Sequence, residues 1–345
     1  MPGGFAPWSR LTHGPTIGGV IDIPEELIAT QTMFNGAAGR AFTDALPELA
    51  ARYVREWGLR VDGPPMYGMC ALVLPVVRDG SPGEDALGEG VPGGGVPGEG
   101  VPAGLPAALK LQLLDEESAG EALALRVWGE AGAGTVALLD HDPVTGAMLL
   151  ERLDENRPLS ALPDVHEAVG VLAQALARLV AVPAPRGLRT LADMAARMLA
   201  EAPRALPLLA DDQERRLVAD CAAALREVAG EPGDRLLHWD LHYDNVLAGR
   251  PGTERAHEWV ALDPKPLAGD PGFELFPALD NRFDAADVLW RFDALSEALG
   301  PGYDRERARA WTLGRVLQNV LWRSRSGAHT LAPDHAEIAR RLLGR

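Results

Sequence analysis

His238-Trp239-Asp240-Leu241-His242-Tyr243-Asp244-Asn245 is followed, eighteen residues beyond Asn245, by Asp263 at the end of the apolar run Trp259-Val260-Ala261-Leu262. Asp240 and Asn245 lie five apart on what must be a short loop, so both can face one cavity. The flanking Arg235-Leu236-Leu237 and Val246-Leu247-Ala248 read as short strands. A carboxylate in such a loop can orient a hydroxyl and receive its proton. An amide oxygen and a second carboxylate suit magnesium, which takes hard oxygen ligands and completes its shell with phosphates and water. The chemistry that needs these parts in this order is phosphoryl transfer from Mg-ATP: Asp240 for the acceptor, Asn245 and Asp263 for the metal. Each residue singly fits a surface turn closed by an Asx hydrogen bond; the ordered set does not.

A nucleotide also needs a cation on its phosphates and an acid to hold that cation. Ala107-Ala108-Leu109-Lys110-Leu111-Gln112-Leu113 reads as a strand with Lys110 at its middle. Glu121 opens the helical run Ala122, Leu125, Trp128 and is the expected partner of Lys110, with Glu117, one turn earlier, as competitor. Lys110 and Lys265 are the only lysines in a chain otherwise supplied with arginine. That scarcity points to positions where a compact ammonium is required. For Lys265, two residues from Asp263, two partners stay open: a phosphate oxygen or Asp270. His242 lacks the second ligand cluster a zinc site needs.

These residues resemble the aminoglycoside phosphotransferases, whose usual form is H-G-D-x-x-x-x-N. The closer resemblance is to the branch of streptomycin 6-phosphotransferases and hydroxyurea-resistance kinases, with its D-P-K-x-x-x-G-D-P stretch, here Asp263-Pro264-Lys265-Pro266-Leu267-Ala268-Gly269-Asp270-Pro271. It extends to Glu121–Trp128 and to Arg315-Val316-Leu317-Gln318-Asn319-Val320-Leu321-Trp322, and covers the chain from about Ile21 onward. Trp239 stands where glycine is common, at a position that does no chemistry.

The resemblance implies an α+β, protein-kinase-like bilobal fold, with a small β-rich N-lobe and a larger, mainly helical C-lobe. It implies ATP and Mg2+ as cofactors and a hydroxyl of a streptomycin-like aminoglycoside as acceptor, in antibiotic resistance. It also implies a backbone hydrogen bond from His238 that supports the catalytic loop, together with Lys265. Kinase order turns 270–284 toward the acceptor, so Glu274, Asp284 and Trp322 are the substrate candidates, with Gln318 and Asn319 beside Trp322. A sugar or amino-sugar kinase, a non-catalytic nucleotide-binding scaffold and a metal-dependent phosphoester hydrolase are the other readings.

The elements that must position these groups follow from periodicity. Residues 1–20 are expected to be loosely ordered, 21–152 to form the N-terminal lobe, and 153–345 the C-terminal lobe with its catalytic segment at 236–272. Helices are expected near Asp22–Pro24, over 39–57, 165–180, 191–199, 212–228 and 285–299, and from Arg305 to about Trp322. Strands are expected at 59–61 and 69–74, joined by a turn with Gly63 and Gly68, and at 136–140 and 147–151. Within 79–106, Val91-Pro92-Gly93, Val96-Pro97-Gly98 and Val101-Pro102 recur every five residues. So little large apolar surface cannot offset ordering entropy, so a disordered insertion is expected.

The 345 residues suffice for two cores, and no apolar run approaches the length of a membrane span. A net charge of −16 argues against nucleic acid as partner. It suits a small hydroxylated acceptor that is cationic, although acidity serves solubility equally well. Cys70 and Cys221 read as buried small hydrophobes, and the absence of a secretion signal makes the cytoplasm the expected address. Nothing in the residues fixes an oligomeric state.

Overall fold

A computed structural model describes residues 9–10, 23–79 and 104–345, which divide into two compact units. The expected loose N-terminus and the Val-Pro-Gly insertion lie almost wholly outside the described residues.

The smaller unit draws on residues up to 114 and on 138–152. Helix α1 (Glu25–Glu56) breaks its helical geometry at Gly36, where φ is 57° and ψ −128°, a conformation glycine reaches without a Cβ clash. That break separates the two helical segments read from the sequence. The strands are β1 (Ser9–Arg10), β2 (Leu59–Val61), β3 (Met66–Tyr67), β4 (Ala71–Arg78), β5 (Leu105–Gln112), β6 (Leu138–His141) and β7 (Met148–Glu151). They pair antiparallel in the order β1-β3-β4-β5-β7-β6, with β2 also on β4. Leu72, Leu74 and Val76 of β4 and Ala107, Leu109 and Leu111 of β5 pack with Leu46, Ala50 and Tyr53 of α1. Alternation along β5 therefore sends Lys110, paired with Val73, to the other face of the sheet. In place of one strand over 69–74, β3 and β4 form a hairpin in which the Gly68 N–H donates to the Ala71 carbonyl at 3.1 Å. Cys70 sits at its tip and is exposed, contrary to expectation; Cys221 is buried, which pushes its thiol up to about 12.

The larger unit holds 115–137 and 153–345. Its helices are α2 (Glu121–Glu130), α3 (Val165–Val180), α4 (Leu191–Ala205), α5 (Asp212–Val228), α6 (Phe276–Asp280), α7 (Val288–Ala298), α8 (Arg305–Arg325) and α9 (Pro333–Leu342). Asp164, Thr190, Asp211 and Asp304 cap α3, α4, α5 and α8 by accepting from first-turn N–H groups. Short strands β8 (Asp154–Pro158), β9 (Arg235–Leu237), β10 (Val246–Ala248), β11 (Trp259–Ala261) and β12 (Leu267–Gly269) lie among them. Sequence order alone puts 115–137 with the first lobe. In the structure, Ala124 and Trp128 of α2 share a core with Leu172, Leu176 and Leu179 of α3, and the Trp128 indole N–H donates to the Leu179 carbonyl at 3.1 Å. Among the described residues, no helix is long and apolar enough to cross a membrane.

Candidate active site

Two antiparallel strand pairs in the larger unit build the site. β9 pairs with β12 through Leu237 opposite Leu267, and β10 pairs with β11 through Val246 opposite Ala261. Just beyond the first pair, the Lys265 N–H donates to the His238 carbonyl at 3.0 Å; just beyond the second, the Leu262 N–H donates to the Asn245 carbonyl at 3.0 Å. The loops 238–245 and 262–266 are thereby tied at both ends. That is how the sequence brings Asp240, Asn245, Asp263 and Lys265 to one place.

Lys265 Nζ lies 2.7 Å from Asp240 Oδ2. Burial disfavours the Asp240 carboxylate, but Lys265, His242 and Arg315 outweigh it and hold the group well below the usual carboxylate range. The Asn245 side-chain N–H donates to the Asp240 carbonyl at 2.9 Å, which fixes the amide and assigns its oxygen to the opposite side. Trp239 and Asp263 both have left-handed backbones, φ 66° and 59°, uncommon for residues with a Cβ and concentrated here at the loop. His238 Nε2 is 3.0 Å from the Leu262 carbonyl, an acceptor only, so that nitrogen carries the proton. Burial pushes its imidazole down to about 4, so it is neutral at pH 7. Asp244 accepts from the Asn281 amide at 2.7 Å, which joins the segment after α6 to the loop.

Of the other candidates, Lys265 does not take Asp270. That carboxylate accepts instead from the Gly272 N–H at 2.9 Å, the Tyr303 hydroxyl and Arg307 Nε at 2.7 Å. Glu274 is only 1 % exposed and accepts from the Trp239 N–H at 2.6 Å, so it supports the loop from within. Burial pushes its carboxyl up to about 8. Asp284 is exposed and accepts from the Ala286 N–H at 2.8 Å. Lys110, 2 % exposed, belongs to the smaller unit, while Glu121, 1 % exposed, is the first residue of α2 in the larger.

Two residues to which the sequence reading gave no role in the site lie over Trp239. Arg315 Cζ lies over its ring at 3.9 Å from the centroid and Arg189 Cζ at 4.3 Å. Arg315 also donates to the Trp239 carbonyl at 3.3 Å and to Gln318 at 2.6 Å, and Arg189 donates to the Lys265 and Pro266 carbonyls at 2.9 and 3.2 Å. Trp322 meets Trp239 edge-on at 5.6 Å. Behind this stack opens a cavity of about 290 Å³ whose walls include Glu116, Glu117, Arg189, Met194, Gln318 and Trp322. Among the described residues, no group of three or more His, Cys, Asp or Glu side chains is arranged to hold a metal. Asn245 and Asp263 bring to these two loops an amide and a carboxylate oxygen, the hard ligand type that magnesium takes.

A family described as "Aminoglycoside/hydroxyurea antibiotic resistance kinase" matches residues 96–327. The chain is 54 % identical over 331 residues to a hydroxyurea phosphotransferase of Kitasatospora aureofaciens, covering 95 % of this chain and 88 % of the relative. It is 47 % identical over 333 residues to a streptomycin 6-kinase of Streptomyces glaucescens, covering 94 % and 98 %. A thermostable mutant of aminoglycoside phosphotransferase APH(4)-Ia, in complex with ADP and hygromycin B, superposes with a TM-score of 0.53 at 16 % identity, over 85 % of this chain and 96 % of that one. A choline/ethanolamine kinase family protein of Mesorhizobium loti gives a TM-score of 0.52 at 17 % identity, over 91 % and 93 %. These likenesses show the expected protein-kinase-like α+β fold, with its sheet-bearing N-terminal part and helical C-terminal part.

Proposed function

The chain belongs to the aminoglycoside/hydroxyurea antibiotic resistance kinase family and is a phosphotransferase, and on that premise we propose that it transfers the γ-phosphoryl group of ATP to a hydroxyl of a streptomycin-like aminoglycoside. The observation that carries the mechanism is the Asp240 carboxylate, held ionised by Lys265 at 2.7 Å in a loop closed at both ends. Asp240 orients the acceptor hydroxyl. A bond forms from the acceptor oxygen to the γ-phosphorus as the bond to the ADP oxygen breaks, and the hydroxyl proton passes to Asp240. The Asn245 amide oxygen and the Asp263 carboxylate are the ligands offered to Mg2+, which when bound neutralises charge on the phosphates. Lys110 is proposed for the ATP phosphates and Glu121 as an acid serving the nucleotide, and His238 and Lys265 hold the loop. A cytoplasmic location, where ATP is plentiful, belongs to the same proposal.

A second acceptor is favoured by one observation. The relative at 54 % identity is named a hydroxyurea phosphotransferase, and the streptomycin 6-kinase stands at 47 %. Coupled ADP release with Mg-ATP, run with streptomycin, hydroxyurea and simple sugars and followed by mass spectrometry, tests both. One acceptor should gain one phosphate. Asp240→Ala should lower kcat by about 10²- to 10⁴-fold while leaving ATP binding in place. A folded Asp240→Ala protein that no longer binds ATP would assign Asp240 to the nucleotide instead.

A further inference from the structure

The cavity behind Trp239 has chemistry that the phosphoryl-transfer mechanism does not use. Its walls carry three arginines, and each guanidinium is engaged. Arg189 stacks on Trp239 and donates to two backbone carbonyls. Arg325 donates through Nε to Glu201 at 2.8 Å, and Arg197 pairs with Glu116 at 3.2 Å. Glu117 is different. The nearest cation, the Arg189 guanidinium, is 3.7 Å away, outside hydrogen-bond range, and no donor among the described residues reaches the carboxylate. Its side chain keeps about a third of its surface open, and burial raises its pKa, only partly offset by Arg189 and Lys265. A partly desolvated carboxylate that no protein donor reaches is stabilised by a ligand that supplies N–H groups.

The other walls narrow what that something is. Trp322, 37 % exposed, lines the same cavity as Glu117. A flat group with two parallel N–H bonds matches both surfaces: its edge meets a carboxylate in a fork and its face lies on an aromatic ring. The neighbouring Trp239 already receives two guanidinium planes. A wall of the cavity is linked to the Asp240 carboxylate through Lys265. Arg189 in its wall donates to the Lys265 carbonyl at 2.9 Å, and the Lys265 ammonium is 2.7 Å from Asp240.

We infer that this cavity is the anchoring site of the acceptor, where Glu117 takes the N–H edge of a planar N–C–N group, a guanidinium or a urea, beside the Trp322 indole. The inference rests on the proposed phosphotransfer only in calling the ligand an acceptor. Guanidinium and urea are the shared chemistry of the two acceptors the relatives' names suggest, since streptomycin carries guanidino groups and hydroxyurea is a urea. Glu117 thus takes a different part from the one sequence spacing offers it, as competitor of Glu121 for the nucleotide lysine.

The test is calorimetric titration of the full-length protein with streptomycin, hydroxyurea and hygromycin B, an aminoglycoside with amines but no guanidino group. Glu117→Gln should weaken whichever of the first two the wild type binds by about 10- to 100-fold, the loss of a charge-assisted bond, and leave hygromycin B unaffected. A less than twofold change for both, or an equal loss for hygromycin B, overturns the assignment. A second measurement needs no variant. Methylguanidine and methylurea should displace the bound acceptor from wild-type protein where methylamine does not, and equal displacement by methylamine overturns it as well. Turnover is read separately: tight binding that depends on Glu117 but yields no acceptor-stimulated ADP release counts against phosphotransfer and leaves the anchoring site standing.

Discussion

An aspartate inside a protein is pulled in two directions. Burial favours its neutral form, and a nearby ammonium favours its charged form. At Asp240 the second influence wins, because Lys265 is in direct contact, with His242 and Arg315 adding to it. The carboxylate is therefore ionised at neutral pH and far below it, and the stability it lends is present above the ordinary value of 3.8 and lost only in stronger acid. Removing Lys265 leaves burial with less opposition. Lys265→Met should shift the acid limb of the kcat/KM profile upward by at least a pH unit, to near or above the ordinary carboxylate value. The pH dependence of turnover from pH 4 to 8 reads this directly. An acid limb that does not move would show that Lys265 is not the group holding Asp240 charged. Lys265→Arg should not restore the wild-type profile, since a planar guanidinium does not fill the place of a compact ammonium.

The loop that carries Asp240 is held at element scale by groups far away in sequence. The Trp239 N–H is taken by Glu274 and its carbonyl by Arg315, 76 residues on, while Arg189 and Arg315 lie over its ring. Arg315→Met fills similar volume but removes the stacked charge and its donors. It should cost about 1–3 kcal/mol in thermal unfolding and lower kcat more than it changes the KM for ATP, because it loosens the acceptor loop and not the nucleotide. Equal effects on both constants would count against that role. The same contrast explains what the sequence could reveal. The loops that carry Asp240, Asn245 and Asp263 were legible because the spacing is local and short strands on either side announce them. Helices α3 and α5 were legible because their apolar stripes repeat and an aspartate caps each. Arg189, Arg315 and the cavity face of Glu117 were not, since tertiary pairs between distant elements leave no periodic trace. Glu274 was placed on the acceptor side by its position after Asp263, but it closes a single 3-10 turn from Pro271 that is capped by Asp270, and a turn that short does not announce which side chain faces inward. Cys70 was read as a buried small hydrophobe, whereas hairpin geometry puts it, exposed, at the tip.

At the scale of the whole molecule, Glu274 couples the fold to pH in the opposite sense to Asp240. Its side chain is buried, with one oxygen on the Trp239 N–H and Arg315 only partly offsetting the burial. Burial pushes its pKa up from 4.5 to about 8, so the native state keeps a proton that the unfolded chain has released. Between those values the native state binds more protons, and stability must fall as pH rises, by up to about 1.4 kcal/mol per pH unit. The net charge of −16 adds its own repulsion as pH climbs, which alone would make the wild-type curve hard to assign. Glu274→Gln separates the two, because the amide oxygen still accepts from Trp239 while the group no longer titrates. Wild type and variant share nearly the same background charge, so the difference between their melting temperatures isolates Glu274. That difference should be small near pH 4.5 and should grow in favour of the variant up to about pH 8. Thermal unfolding in matched buffers across that range measures it. A difference that stays constant with pH would mean that Glu274 is ionised in the folded protein and that Arg315, rather than a proton, neutralises it.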